Sequence, residues 1–186
     1  MVSALRARPA LRAAVIAGYV LAVEWTRAVA MRAPGLAVPA LVLGGIALGI
    51  AAWRFSPSAL GLGTSRLGLR VLGGLALGAV LLLPAAARAS SVPLLPAALG
   101  VAAIAVSVGE ELAFRGALFA ALEDLGGAPL AVLGSTVVWT LGHVLSHPPK
   151  FLGAVAAAGL LLGLWRWAAR DLVGPIIGHV IADLAL

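Results

Sequence analysis

The chain has 186 residues, of which 62% are hydrophobic and 11% charged, against roughly 45–50% and 25% in an ordinary soluble domain. That balance excludes a soluble globular domain, and the absence of Cys excludes disulfides, thiolate metal sites and Cys nucleophiles. The net charge of +6 comes from 13 Lys and Arg against 7 Asp and Glu, but the bases are scattered between apolar runs, which reads as membrane-flanking anchors and not as a nucleic-acid surface.

A helix that crosses a bilayer takes about 20 apolar residues, so residues 1–186 have room for six or seven segments in a single integral membrane domain. The first segment runs from Leu11 to about Ala30. It follows Arg6, Arg8 and Arg12 like the start of a signal peptide, yet no cleavage site ends it, and Glu24, Trp25 and Arg27 read as the wet end of a retained span. The second runs from about Leu36 to Trp53 and the third from Val71 to Ala87, with Phe55 to Arg70 between them as an interfacial connection rich in Gly and broken by Pro57. A Pro-punctuated stretch, Ser90 to Pro96, leads into a fourth run of about Ala97 to Leu122. Glu123 to Pro129 reads as a turn. The fifth segment, about Leu130 to Ser146, is broken by His147, Pro148, Pro149 and Lys150, and the sixth runs from about Phe151 to Ala169. The last, Val173 to Leu186, has 14 residues, a rise of roughly 21 Å as helix. That falls short of a hydrocarbon core of about 30 Å, so the segment is a half-span packed among its neighbours, or the chain ends earlier than its relatives do. The predicted fold is an all-α, polytopic transmembrane helical bundle. Counted by connection, eight Lys and Arg lie on the side of the N-terminus and four on the other, which predicts a cytoplasmic N-terminus.

A charge near the bilayer centre costs on the order of 3 kcal/mol, so each one requires a reason. The fourth segment carries Glu110, Glu111 and Arg115 within six residues. Glu111 and Arg115 stand four apart in the favoured order for a helical ion pair, whereas Glu110 points about 100° away around the axis. Without an intrahelical partner it suits general-base work. His143 sits in the fifth segment with Trp139 one turn before it, and His147 lies a turn further on as an interfacial residue outside the site. In the last segment His179 and Asp183 share a face. Each feature taken alone has a structural reading: a polar knot between helices, a hydrogen-bonded histidine, a His–Asp pair. Together, Glu110, Glu111, Arg115, His143, His179 and Asp183 are least costly if they converge on one wet cavity inside the bundle.

Such a cavity could hydrolyse a peptide bond. Glu110 and His143 would orient and deprotonate a water, His179 would donate to the oxyanion, Asp183 would orient His179 or donate itself, and Glu111 with Arg115 would brace the helix. Ser107 and Ser135 lack a nucleophile-elbow context, and no zincin spacing is present.

These residues resemble the CPBP group of intramembrane endopeptidases, which includes the eukaryotic CAAX prenyl endopeptidases and the bacterial Abi-type proteins. Glu110, Glu111 and Arg115 match the family's EExxxR motif. His143 matches FxxxH with Trp139 in place of Phe, and His179 with Asp183 matches HxxxN, in which Asp sometimes ends the motif. The resemblance covers residues 97–186, the expected catalytic core, and the stop three residues after Asp183 reads as a minimal version of it. It implies an integral membrane endopeptidase in a cell membrane, the bacterial inner membrane for a bacterial source. Its substrate would be a peptide or protein at the bilayer, and its base pair the first Glu with the second-motif His. Family descriptions divide between a metalloprotease and a metal-free glutamic protease. The expectation here is no metal and no cofactor; a zinc, were one bound, would be held by Glu110, His143 and His179. Two other functions fit the same polar residues: a non-catalytic immunity or scaffold protein of the same fold, and a proton-coupled transporter. The intact motifs argue against the first, and the lack of an internal repeat argues against the second.

Overall fold

The computed structural model describes residues 8–86 and 95–185; Arg6, Ala87, Arg88, Leu186 and most of the Ser90 to Pro96 stretch lie outside the described residues. Those described form α1 (Pro9–Ala30), α2 (Ala37–Ile50), α3 (Pro57–Leu60), α4 (Leu67–Ala86) and α5 (Ala97–Glu111). A π-helical segment, Leu112–Leu118, then leads into α6 (Phe119–Gly142), a 3-10 turn (His143–Leu145), α7 (Pro149–Ala169) and α8 (Val173–Leu184). There is no strand among the described residues, and the molecule is an all-α membrane bundle.

Local chemistry sets the boundaries. Pro9, Pro57 and Pro149 open their helices, where a missing N–H costs nothing. Ser56 caps α3 by accepting the Ala59 N–H at 3.2 Å, and Asp171 caps α8 by accepting the N–H groups of Val173 at 3.0 Å and Gly174 at 2.9 Å. Three stretches are long and apolar enough to cross a membrane: Pro9–Ala30, Pro149–Ala169 and the 49-residue run Ala97–Leu145. The long run reverses at Gly126 and Gly127, whose backbones leave the helical region, Gly127 with φ at 71°, a conformation that glycine adopts freely. This is the turn expected between Glu123 and Pro129, and Phe119 packs on Ala131 and Val132 across it. With its two arms counted separately and the shorter apolar helices Ala37–Ile50, Leu67–Leu83 and Val173–Leu184 added, seven apolar segments are described. The helix α4 begins at Leu67, earlier than expected, because Arg70 is anchored on Asp171 at 3.4 Å and on the Gly61 carbonyl at 3.1 Å.

Close helix contacts run through small residues, as in other membrane bundles. A Cβ on Gly45 of α2 would run into the Ala105 carbonyl, and one on Gly109 of α5 into the carbonyl of Gly45. The half-span α8, 12 residues long, leans on α4, where a Cβ on Gly178 would lie 2.8 Å from Leu77 Cβ. At one end of the bundle Arg12 pairs with Asp124 at 3.2 Å and Arg170 with Glu123 at 2.5 Å. At the other end α1 is tied to α6 and the turn after it, through Trp25 Nε1 donating to the Leu141 carbonyl and Arg32 to that of Leu145, both at 3.0 Å.

Candidate active site

The six residues expected to converge do so. Glu110 and Glu111 end α5, and the π segment that begins at the next residue carries Arg115. Single π turns recur at functional sites because the extra residue re-aims side chains within an otherwise regular helix. Glu110, Glu111 and Arg115 are all buried, as are His143 from the end of α6 and His179 from α8. Asp183 is the most open of the six, with 29% of its side chain exposed, so the cluster meets its surroundings past that residue.

Glu110 lies at the centre. Its Oε2 is 3.8 Å from His143 Nε2 and 4.0 Å from His179 Nε2. A water hydrogen-bonded at about 2.8 Å to the carboxylate and to either ring would see the two at an angle of about 90°, so both imidazoles are within one-water reach. The tautomer of His143 follows from its other nitrogen: Nδ1 lies 2.8 Å from the Trp139 carbonyl, which only accepts, so Nδ1 carries the proton. The Nε2 lone pair of the neutral ring therefore faces Glu110.

His179 is held differently. Its Nδ1 is 2.9 Å from Glu111 Oε1, and the same oxygen accepts from Arg115 Nη1 at 2.9 Å. Its Nε2 lies 3.4 Å from Asp183 Oδ2, which in turn accepts from the Ser107 hydroxyl at 2.7 Å. Trp139 forms the floor: the Arg115 guanidinium lies 4.0 Å from its ring centre, and its ring centroid is 4.4 Å from His143 and 5.2 Å from His179. Gly159 of α7 makes room for this stack, since a Cβ there would be 2.8 Å from Trp139 Cδ1. His147 is exposed, its ring tilted against that of His143 at 5.2 Å between centroids and outside the cluster, as expected.

Two sequence expectations are corrected. Glu24 and Arg27 are not the wet end of a span; both are buried. Glu110 also has a cationic partner after all, because Arg27 Nη2 donates to its Oε1 at 2.9 Å and to Glu24 Oε2 as well. The signal was present: Glu24 and Arg27 stand three apart in an apolar helix, and the cost argument applied to Glu110 applies equally to them. Ser107, which lacks a nucleophile-elbow context in the sequence, serves instead as a donor to Asp183 Oδ2 at 2.7 Å.

Several buried polar atoms have no hydrogen-bond partner among the described residues: Glu24 Oε1, Arg27 Nε, Glu111 Oε2, and Arg115 Nε and Nη2. Groups of this kind are ordinarily met by internal water, which agrees with a hydrated cluster. Among the described residues no three His, Asp or Glu side chains are grouped to hold a cation, and Glu110 already has a guanidinium on one oxygen.

Fold and site together define a class: a polytopic membrane protein with a carboxylate, two imidazoles and their braces buried between helices. A family model described as type II CAAX prenyl endopeptidase Rce1-like matches residues 92–185. That is just over half of the chain, and the chain belongs to this family of intramembrane endopeptidases. No curated protein and no solved structure matches it.

Proposed function

We propose that this protein hydrolyses a peptide bond in a membrane-associated protein or peptide, with a water activated by Glu110 and His143 and an oxyanion held by His179, which Asp183 orients. The observation that carries the reading is the placement of Glu110 Oε2 within 3.8 Å and 4.0 Å of two imidazole nitrogens from two other helices. The Nε2 lone pair of His143 accepts one hydrogen of the water and orients it, while Oε2 takes the other as the water oxygen attacks the scissile carbonyl. The tetrahedral oxyanion forms beside His179. Because His179 Nδ1 donates to Glu111, its Nε2 donates to the oxyanion when the ring carries both protons. Collapse of the intermediate breaks the C–N bond, and the proton held by Glu110 passes to the leaving amine.

In this reading Glu111 and Arg115 are positioning residues that fix His179. The mechanism uses no metal; the guanidinium on Glu110 and the lack of a grouped donor set support that. Inactivation by a chelator, reversed by one divalent cation and matched by bound metal in the purified protein, would overturn it.

The test of the whole reading is a comparison of protein termini between cells carrying the wild-type protein and cells carrying Glu110→Gln at equal abundance. New termini that arise only with the wild type, at sites within or beside apolar segments, are expected. Identical termini in the two would overturn it.

A further inference from the structure

The family match begins at residue 92, and α1 lies wholly outside it, yet α1 puts a guanidinium on the central carboxylate. We propose that Arg27, held by Glu24, is a positioning residue for Glu110, so that the working site extends to the first helix; the proposal rests on the peptidase reading above.

The geometry is asymmetric in a useful way. Arg27 Nη2 holds Oε1 of Glu110, which leaves Oε2 as the oxygen turned to His143 and His179. A carboxylate fixed at one oxygen cannot rotate about its last bond without giving up a charge-assisted hydrogen bond, so the atom that takes the proton stays aimed at the water. Arg27 also places a positive charge beside the carboxylate. A structural ion pair would be complete with Glu24 one turn away, whereas Arg27 additionally reaches a residue 83 positions on in the chain.

The surroundings are shaped to hold this pair still. A Cβ on Gly44 of α2 would be 2.7 Å from Arg27 Cδ, and one on Gly142 of α6 would be 3.2 Å from Glu24 Cγ, so two other helices leave slots for the two stems. Trp25 and Arg32 fasten the same end of α1 to the carbonyls of Leu141 and Leu145, on either side of His143. The helix that carries Arg27 is thereby tied to the segment that carries the water-orienting imidazole.

The experiment measures kcat and KM per folded protein, in proteoliposomes and on a peptide substrate taken from the termini comparison, for the wild type, Arg27→Gln, Arg27→Lys and Glu110→Gln. Arg27→Gln is expected to lower kcat by about 100-fold, the size of effect that misaligning a reacting group produces, with KM within about threefold. Arg27→Lys restores a cation at the same place and is expected to recover at least tenfold of that loss. A purely structural role would lower the melting temperature and the yield but leave kcat per folded protein unchanged and give Lys no advantage. If Arg27→Gln leaves too little folded protein, Glu24→Gln/Arg27→Gln, which removes a balanced pair of charges, is read by the same criteria. Wild-type kcat in the glutamine variant, or a loss confined to KM, overturns the role of Arg27. Wild-type kcat in Glu110→Gln overturns Glu110 as the base on which the proposal rests, and no cleavage by the wild type overturns the peptidase reading, so the failures are told apart.

Discussion

Glu111→Ala should be among the most damaging single substitutions in the protein. Arg115 is completely buried, and the one hydrogen bond of its guanidinium among the described residues is to Glu111 Oε1 at 2.9 Å, the oxygen that also accepts from His179 Nδ1. Removing the carboxylate leaves a buried guanidinium uncompensated, a loss of about 3–5 kcal/mol, and leaves an imidazole N–H without its acceptor. The face of Trp139 at 4.0 Å from Arg115 returns about 1–2 kcal/mol at most, and that term is present in both wild type and variant. The net expectation is a destabilisation of about 4 kcal/mol, a thousandfold change in the folding equilibrium. Glu111→Gln is the informative partner. One oxygen accepts both bonds in the wild type, so the amide oxygen can do the same, but the guanidinium still loses its counter-charge and the cost should fall only to about 2–3 kcal/mol. Unfolding by a denaturing detergent in mixed micelles, followed by Trp fluorescence, gives both values. A Glu111→Ala protein within about 1 kcal/mol of wild type, or a Gln variant no better than Ala, would refute the brace.

Two further outcomes can be checked independently of activity. Gly109→Ala drives a methyl group into the carbonyl of Gly45 beside Glu110, so it should lower stability by about 1–3 kcal/mol in the same unfolding assay, whereas Gly68→Ala, with open space around it, should be neutral. Burial of Arg27 and Arg166 inside the protein removes one base from each side of the charge count and leaves the positive-inside bias intact. With the N-terminus cytoplasmic, Ser146→Cys at the end nearer the site should react with a membrane-impermeant maleimide added outside intact cells and Ser58→Cys should not; the reverse pattern would invert the topology.

Much of this molecule can be read from its sequence because lipid makes polar residues expensive. The segments from Pro9 to Leu184 follow from apolar run lengths and from the Gly and Pro that interrupt them, including the reversal at Gly126 and Gly127. Convergence of Glu110, His143 and His179 followed from the cost of leaving each alone. What could not be read is partner choice across helices. Nothing in the spacing of Glu24 and Arg27 says that their helix turns them toward Glu110, because α1 is an apolar helix whose rotation is set by glycine slots at Gly44 and Gly142 in two other helices. The π turn from Leu112 to Leu118 was equally hidden: an i, i+4 pair such as Glu111 and Arg115 looks the same in sequence whether the ladder between them is regular or widened. Ser107 was read for its nucleophilicity and not for its reach, although its hydroxyl lies 2.7 Å from Asp183.

The most direct measurement is turnover of purified protein in proteoliposomes on a peptide that spans an identified cleavage site, with wild type and Glu110→Gln compared at matched melting temperature. Loss of cleavage by at least about 1000-fold in Glu110→Gln is expected if its carboxylate activates the water, since general-base catalysis contributes about 100- to 10,000-fold. Turnover within threefold of wild type in that variant would mean that the carboxylate between the two imidazoles is not the base.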